Sequence, residues 1–184
     1  MIRLTTPLTI EKIKKLHAGD EILLSGTIYT GRDAAHKRLM ALIEKGEKPP
    51  LPLEDQVIFY VGPTPSKPGK VFGSGGPTTS GRMDAFAPTL IKLGLRSMIG
   101  KGYRLQSVKD AIIEYDGIYL GAIGGAGAMM SSCIKKCEII AFDDLGPEAI
   151  RRLEVVDMPL VVIIDSYGND QYILGRNDYL NMCK

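Results

Sequence analysis

The 184-residue chain has no tryptophan, two histidines and three cysteines. An odd and small cysteine count makes no disulfide framework, and such usage suits a reducing compartment, so a cytoplasmic location is expected. No apolar run approaches the ~18 residues a membrane span requires. The longest candidate, residues 158–164, is interrupted by Pro159. The N-terminal MIRLTTPLTIEKIKKL lacks an apolar stretch after a basic start and a small-residue cleavage site, so no signal peptide is read. Charge of one sign is missing too: 23 Lys+Arg against 21 Asp+Glu leave +2, too balanced for a protein that lives on a phosphate backbone. Neither nucleic acid nor membrane is expected as a partner. With 45% hydrophobic and 24% charged residues, disorder and fibrous folds are excluded. No repeat or composition break divides the chain, so residues 1–184 are read as one domain.

Glycine is what the chain has in excess. Fourteen of the 21 lie between Gly62 and Gly127, where they allow positive φ and close approach of backbone amides to a ligand. Around them the pattern alternates. Thr9 is placed to cap a short helix carrying Ile10, Ile13 and Leu16 and stopping near Gly19, and Asp33 to cap a helix over 34–45 with Leu39, Leu42 and Ile43 inward. Strands are predicted over 21–27, 57–61, 97–99, 118–122, 138–142 and 160–165, and further helices over 82–93, 106–115, 127–132 and 147–153. Residues 47–53 form a Pro-rich loop. Strands alternating with helices imply a layered α/β domain.

Four segments could carry chemistry. In Ser25–Arg38 a strand runs through a tight turn into a helix, placing Arg32 at the positive helix end with a fork suited to a carboxylate. His36 follows about a turn after Asp33 and could be oriented by it. The same residues also read as a plain cap, Asp33, followed by a solvated basic face. In Gly73–Asp84, four glycines, four hydroxyls and Arg82 precede a helical pattern, suggesting an anion-binding nest, with a structural loop whose hydroxyls cap the helix as the alternative. The Gly76 to Gly81 spacing imitates a P-loop, but Arg82-Met83 stand where Lys and Ser/Thr would hold phosphate and magnesium. Lys101 lies between Gly100 and Gly102 after an apolar strand, where it can point into a crevice or sit in an exposed turn. Gly121–Ala128 lacks the order of a dinucleotide fingerprint and reads as close packing. Cys133, Cys137 and Cys183 lack metal-site spacing. Arg32, Arg82 and Lys101 together suit a small anion, each charged hydrogen bond being worth about 1.5–3 kcal/mol.

SGTIYTGRDAAHKR, GSGGPTTSGRMD and MIGKG, in this order and with these separations, resemble the β subunit, or C-terminal region, of class I iron–sulfur fumarate hydratases and the related L-tartrate dehydratases. The resemblance runs from Pro7 to the Gly168-Asn169 turn. It implies an α/β, swivelling β/β/α layered domain with a mixed sheet and flanking helices. It also implies an α subunit or region bearing a [4Fe–4S] cluster, with one iron open as Lewis acid. This chain holds no plausible cluster ligands, as expected of the β half alone. The implied reaction is reversible hydration of fumarate to (S)-malate. By the same resemblance, Arg32 and Arg82 bind substrate carboxylates, Lys101 and Thr79 contact substrate, Thr78 is the base for the malate C3 proton, and His36 is an acid/base residue or an organiser of Arg32. The expected state is a hetero-oligomer with the α subunit, a homodimer being open to the chain alone. Tartrate dehydration, a non-catalytic anion- or nucleotide-binding module and a purely structural partner remain the alternatives.

Overall fold

A computed structural model describes residues 1–122 and 126–182. In chain order the first elements are β1 (Ile2–Thr5), α1 (Ile10–Ile13), β2 (Glu21–Thr30), α2 (Asp33–Glu44), β3 (Val57–Phe59), α3 (Ala87–Lys92) and β4 (Ser97–Gly100). They are followed by α4 (Gln106–Glu114), β5 (Ile118–Gly121), α5 (Gly127–Ser132), β6 (Ile134–Ala141), β7 (Ile150–Ile164) and α6 (Gln171–Met182). Short 3-10 turns occupy Ser80–Met83 and Asp143–Glu148.

All residues of β3, β4 and β5 are buried. Such uninterrupted burial is what parallel strands covered on both faces require. Val57 and Phe59 of β3 face one apolar cluster, with Ile22, Leu24 and Leu120, while Ile58 faces a second built with Leu90, Ile91, Val108 and Ile112 of α3 and α4. A third, smaller cluster joins Ala35 and Leu39 of α2 to Tyr29 and Ile150.

The seven strands run in the order β1-β2-β3-β4-β5-β7-β6, parallel from β1 to β5, and β7 is antiparallel to β5 and β6. Strand β7 also pairs antiparallel with β2 from Glu21↔Val161 to Tyr29↔Arg152, so the path β2-β3-β4-β5-β7 closes on itself. Its phase changes at a bulge: Leu153 and Val155 are buried before it, Met158 and Leu160 after it. Asp157 makes the change with φ +49°, its N–H held by Ser25 Oγ at 2.9 Å.

The mixed α/β sheet with flanking helices matches the layered reading in outline. Several elements depart from it. The helix expected over 147–153 is a 3-10 turn followed by the start of β7: Ile150 and Leu153 are spaced as on a helix, but ladders to β2 and β6 satisfy that backbone instead. The helix expected over 82–93 divides into a 3-10 turn and α3, because Pro88 in the first turn of α3 supplies no amide proton to a longer helix. Asp33 is the first residue of α2 and Arg32 takes the cap position without a side-chain cap bond. Strand β2 continues through Thr30, and β6 begins at Ile134 rather than 138, its lysines being exposed along an edge. Neither β1 nor α6 is foreseen; α6 has no buried residue and hence no apolar stripe to read. Residues 123–125 of the fourth segment and Cys183 lie outside the described residues. Among these residues no helix is long and apolar enough to cross a membrane.

Candidate functional site

The site is assembled where parallel strands end. Thr30 closes β2, and the chain turns through Gly31 and Arg32 into α2. Beside it, β3 leads to Tyr60, whose carbonyl accepts the Thr78 N–H at 2.7 Å. Next to β3, β4 ends at Gly100 and delivers Lys101, which forms an isolated parallel bridge with Thr79. Registers Thr30↔Phe59 and Phe59↔Ile99 set these three ends side by side. In α/β folds, closed as well as open, ligands commonly bind beyond the carboxyl ends of parallel strands.

Thr78 is half-buried; Thr79, Arg82 and Lys101 are exposed. Arg82 donates from Nε to Asp33 Oδ1 at 2.9 Å and lies 2.8 Å by Nη2 from Asp33 Oδ2. Arg32 Nε is 4.0 Å from the same Asp33 oxygen, so one carboxylate stands between the two arginines. Arg32 Nη2 also faces Glu148 Oε1 at 3.4 Å, while Glu148 Oε2 accepts the Ala34 N–H at 2.9 Å. Glu148 thereby caps α2 from a segment far away in sequence, which no local cap pattern reveals. Asp33 serves as a bridge between cations rather than as the cap expected of it. Arg32 Nε is buried with no hydrogen-bond partner among the described residues.

His36 is fully buried, its ring 5.5 Å from that of Tyr60 and 5.8 Å from that of Phe86. Nδ1 lies 2.8 Å from the Arg32 carbonyl and must therefore carry the proton, leaving Nε2 as a buried acceptor without a partner among the described residues. Burial pushes its pKa from the ordinary 6.5 down to about 4, against the opposing pull of the Arg32 carbonyl and Asp33. The ring is neutral at physiological pH and directed at the backbone of Arg32.

Behind the loop lie residues that the sequence reading did not single out. Arg104 Nε donates to Asp84 Oδ1 at 2.6 Å, and both side chains are buried. The guanidinium covers the rings of Tyr60 and Tyr119 at 5.5 and 4.9 Å. Burial raises the pKa of both tyrosines, outweighing the opposite influence of Arg104 on each and of Ser80 on Tyr119. Scattered charged and aromatic residues give no spacing signal for such a cluster. A cavity of about 550 Å³ lined by Thr64, Lys67, Lys70, Phe72 and Ser131 holds none of the candidate residues. Among the described residues no three His, Cys, Asp or Glu side chains come together as a metal site. Cys133 and Cys137 are free thiols at the end of α5 and in β6, and burial raises the Cys137 pKa.

Cations and hydroxyls gathered at neighbouring strand ends describe a class: a mixed α/β domain with charged and polar side chains collected beyond the carboxyl ends of its parallel strands. The comparison with known proteins is specific. Residues 1–174 match the family described as Fumarase C-terminus, and the chain belongs to that family. It is 40% identical over 163 residues to "Fumarate hydratase class I, anaerobic" of Escherichia coli, covering 88% of this chain and 30% of that protein. It is 37% identical over 174 residues to "Fumarate hydratase 1, mitochondrial" of Leishmania major, covering 92% and 32%. With "Putative L(+)-tartrate dehydratase subunit beta" of Methanocaldococcus jannaschii it shares 38% over 171 residues, covering 90% of this chain and 88% of that one. The chain thus spans about a third of the length of these fumarate hydratases and most of the tartrate dehydratase subunit.

Proposed function

We propose that this chain is the β subunit of a two-subunit class I hydro-lyase, supplying the dicarboxylate-binding and proton-handling half of a site for reversible hydration of fumarate to (S)-malate. The observation that carries this reading is the convergence of Arg32, Thr78, Thr79, Arg82 and Lys101 at the carboxyl ends of three adjacent parallel strands. Arg32 and Arg82 bind the two carboxylates, displacing or rearranging around Asp33, and Lys101 and Thr79 complete the contacts. Thr78 takes the C3 proton; its hydroxyl needs the nearby cations, since each pKa unit of lowering requires about 1.4 kcal/mol of preferential alkoxide stabilisation. His36, sealed and neutral, holds the Arg32 backbone and so positions that guanidinium.

The donor set of the described residues does not fit a [4Fe–4S] cluster, which in this reading belongs to a separate α subunit. A heteromer follows, and the small domain swivels to close over substrate. The similarity to the M. jannaschii protein named as a tartrate dehydratase subunit beta supports a β-type role and keeps L(+)-tartrate as the second candidate substrate. One extra hydroxyl separates it from malate.

The test is hydration of fumarate after anaerobic reconstitution with the α subunit, with malate and tartrate rates side by side. Arg82→Ala is expected to lower kcat/KM by about 10- to 150-fold, the value of a charged hydrogen bond. Thr78→Ala should lower kcat by about 10²–10⁴, the contribution of a general base. Unchanged kcat/KM in either variant overturns the assignment.

A further inference from the structure

Behind Thr79 a directed set of hydrogen bonds grips the backbone of Lys101 from both sides. The Lys101 N–H donates to Ser80 Oγ at 3.1 Å, and the Lys101 carbonyl accepts the Ser80 N–H at 2.9 Å. The Tyr119 hydroxyl donates to the Gly102 carbonyl at 3.1 Å. Because its proton is committed there, the 2.8 Å contact between Ser80 Oγ and Tyr119 Oη has serine as donor. Each hydroxyl thus donates once and accepts once, and every link is satisfied.

The surroundings restrict this arrangement. Ser80 and Tyr119 are fully buried. A Cβ on Gly100 would stand 1.9 Å from Ser80 Oγ, so a glycine is required where β4 passes this hydroxyl. Arg104 caps the Tyr119 ring at 4.9 Å and is itself anchored by Asp84, which also accepts the Leu105 N–H at 2.6 Å. Asp84 and Arg104 thereby tie the segment after Thr79 to the segment after Lys101.

We infer that Tyr119, acting through Ser80, is a positioning residue for Lys101: it sets the backbone from which the lysine side chain meets an anionic substrate. The inference rests on reading Lys101 as a substrate ligand. A lysine is a point charge on a long flexible stem, so its aim depends on where its backbone is fixed. Tyr119→Phe removes one oxygen atom and leaves the Ser80 hydroxyl and the Gly102 carbonyl without their partner.

Two measurements test it. In the reconstituted enzyme Tyr119→Phe should lower kcat/KM by about 10- to 100-fold, the scale of an ångström of misplacement. In a Lys101→Met background the same change should cost almost nothing, since residues acting through one another are not additive. An equal loss in both backgrounds overturns the inference. In the chain itself, the Lys101 amide should exchange its hydrogen at least about tenfold faster in Tyr119→Phe than in wild type, whereas the Met98 and Ile99 amides of β4 keep their rates. An unchanged Lys101 rate overturns it as well. If the wild-type assembly converts neither malate nor tartrate, the hydro-lyase reading fails, and the exchange rates decide whether Tyr119 holds this backbone.

Discussion

His36 should make the fold sensitive to mild acid. Its ring is sealed between Tyr60 and Phe86, and burial holds its folded pKa at about 4 against 6.5 when exposed. On acidification the unfolded chain takes up this proton near pH 6.5, whereas the folded chain takes it up only near pH 4. Between these values the unfolded state binds more protons, so the stability that is full above pH 6.5 is lost as the pH falls toward 4. At about 1.4 kcal/mol per pH unit, the loss is ~2 kcal/mol by pH 5 and ~3 kcal/mol by pH 4. For a chain of this size, ~2 kcal/mol is about 4–8 °C in Tm. The assay is urea and thermal unfolding of wild type and His36→Gln at pH 7.5 and pH 5. Carboxylates titrate in both proteins, so the difference between them isolates the histidine. Wild type should lose ~2 kcal/mol more than the variant over this interval. Parallel losses would refute the reasoning, and with it the neutral, sealed imidazole from which its positioning role is argued.

Arg104→Met leaves the Asp84 carboxylate buried with only the Leu105 amide. Removing one partner of a buried pair costs about 3–5 kcal/mol, measurable as a lower urea midpoint with an unchanged slope; a loss under ~1 kcal/mol would show that the pair contributes little. Glu148→Ala removes the acceptor of the Ala34 N–H and should destabilise by about 1 kcal/mol, as loss of a helix cap does. Stability equal to wild type would show that α2 does not depend on this distant carboxylate.

The legible parts of the fold are those where burial is local in pattern. Strands β3, β4 and β5 read as continuous apolar runs because both faces are covered, and α4 reads from Val108, Ala111 and Ile112. Where burial depends on a distant partner, the pattern misleads. Ile150 and Leu153 suit a helix as well as a strand, and only the ladders to β2 and β6 decide. The candidate residues Arg32, Thr78, Arg82 and Lys101 stand out as glycine-flanked cations and hydroxyls. Glu148 and Tyr119 do not, because what makes them matter is a contact across 114 and 39 residues of chain, respectively.

By itself, the sequence determined the class of domain, the glycine-rich loops, the cations that could meet an anion and, through three ordered motifs, the family. Those properties are written in residue type and short spacing. The tertiary structure alone decided that Asp33 bridges two arginines, that His36 is sealed and neutral, and that Ser80 and Tyr119 grip Lys101. Each depends on which segments the closed path of strands brings side by side, and hydrogen bonds and burial act over a few ångströms whatever the separation along the chain.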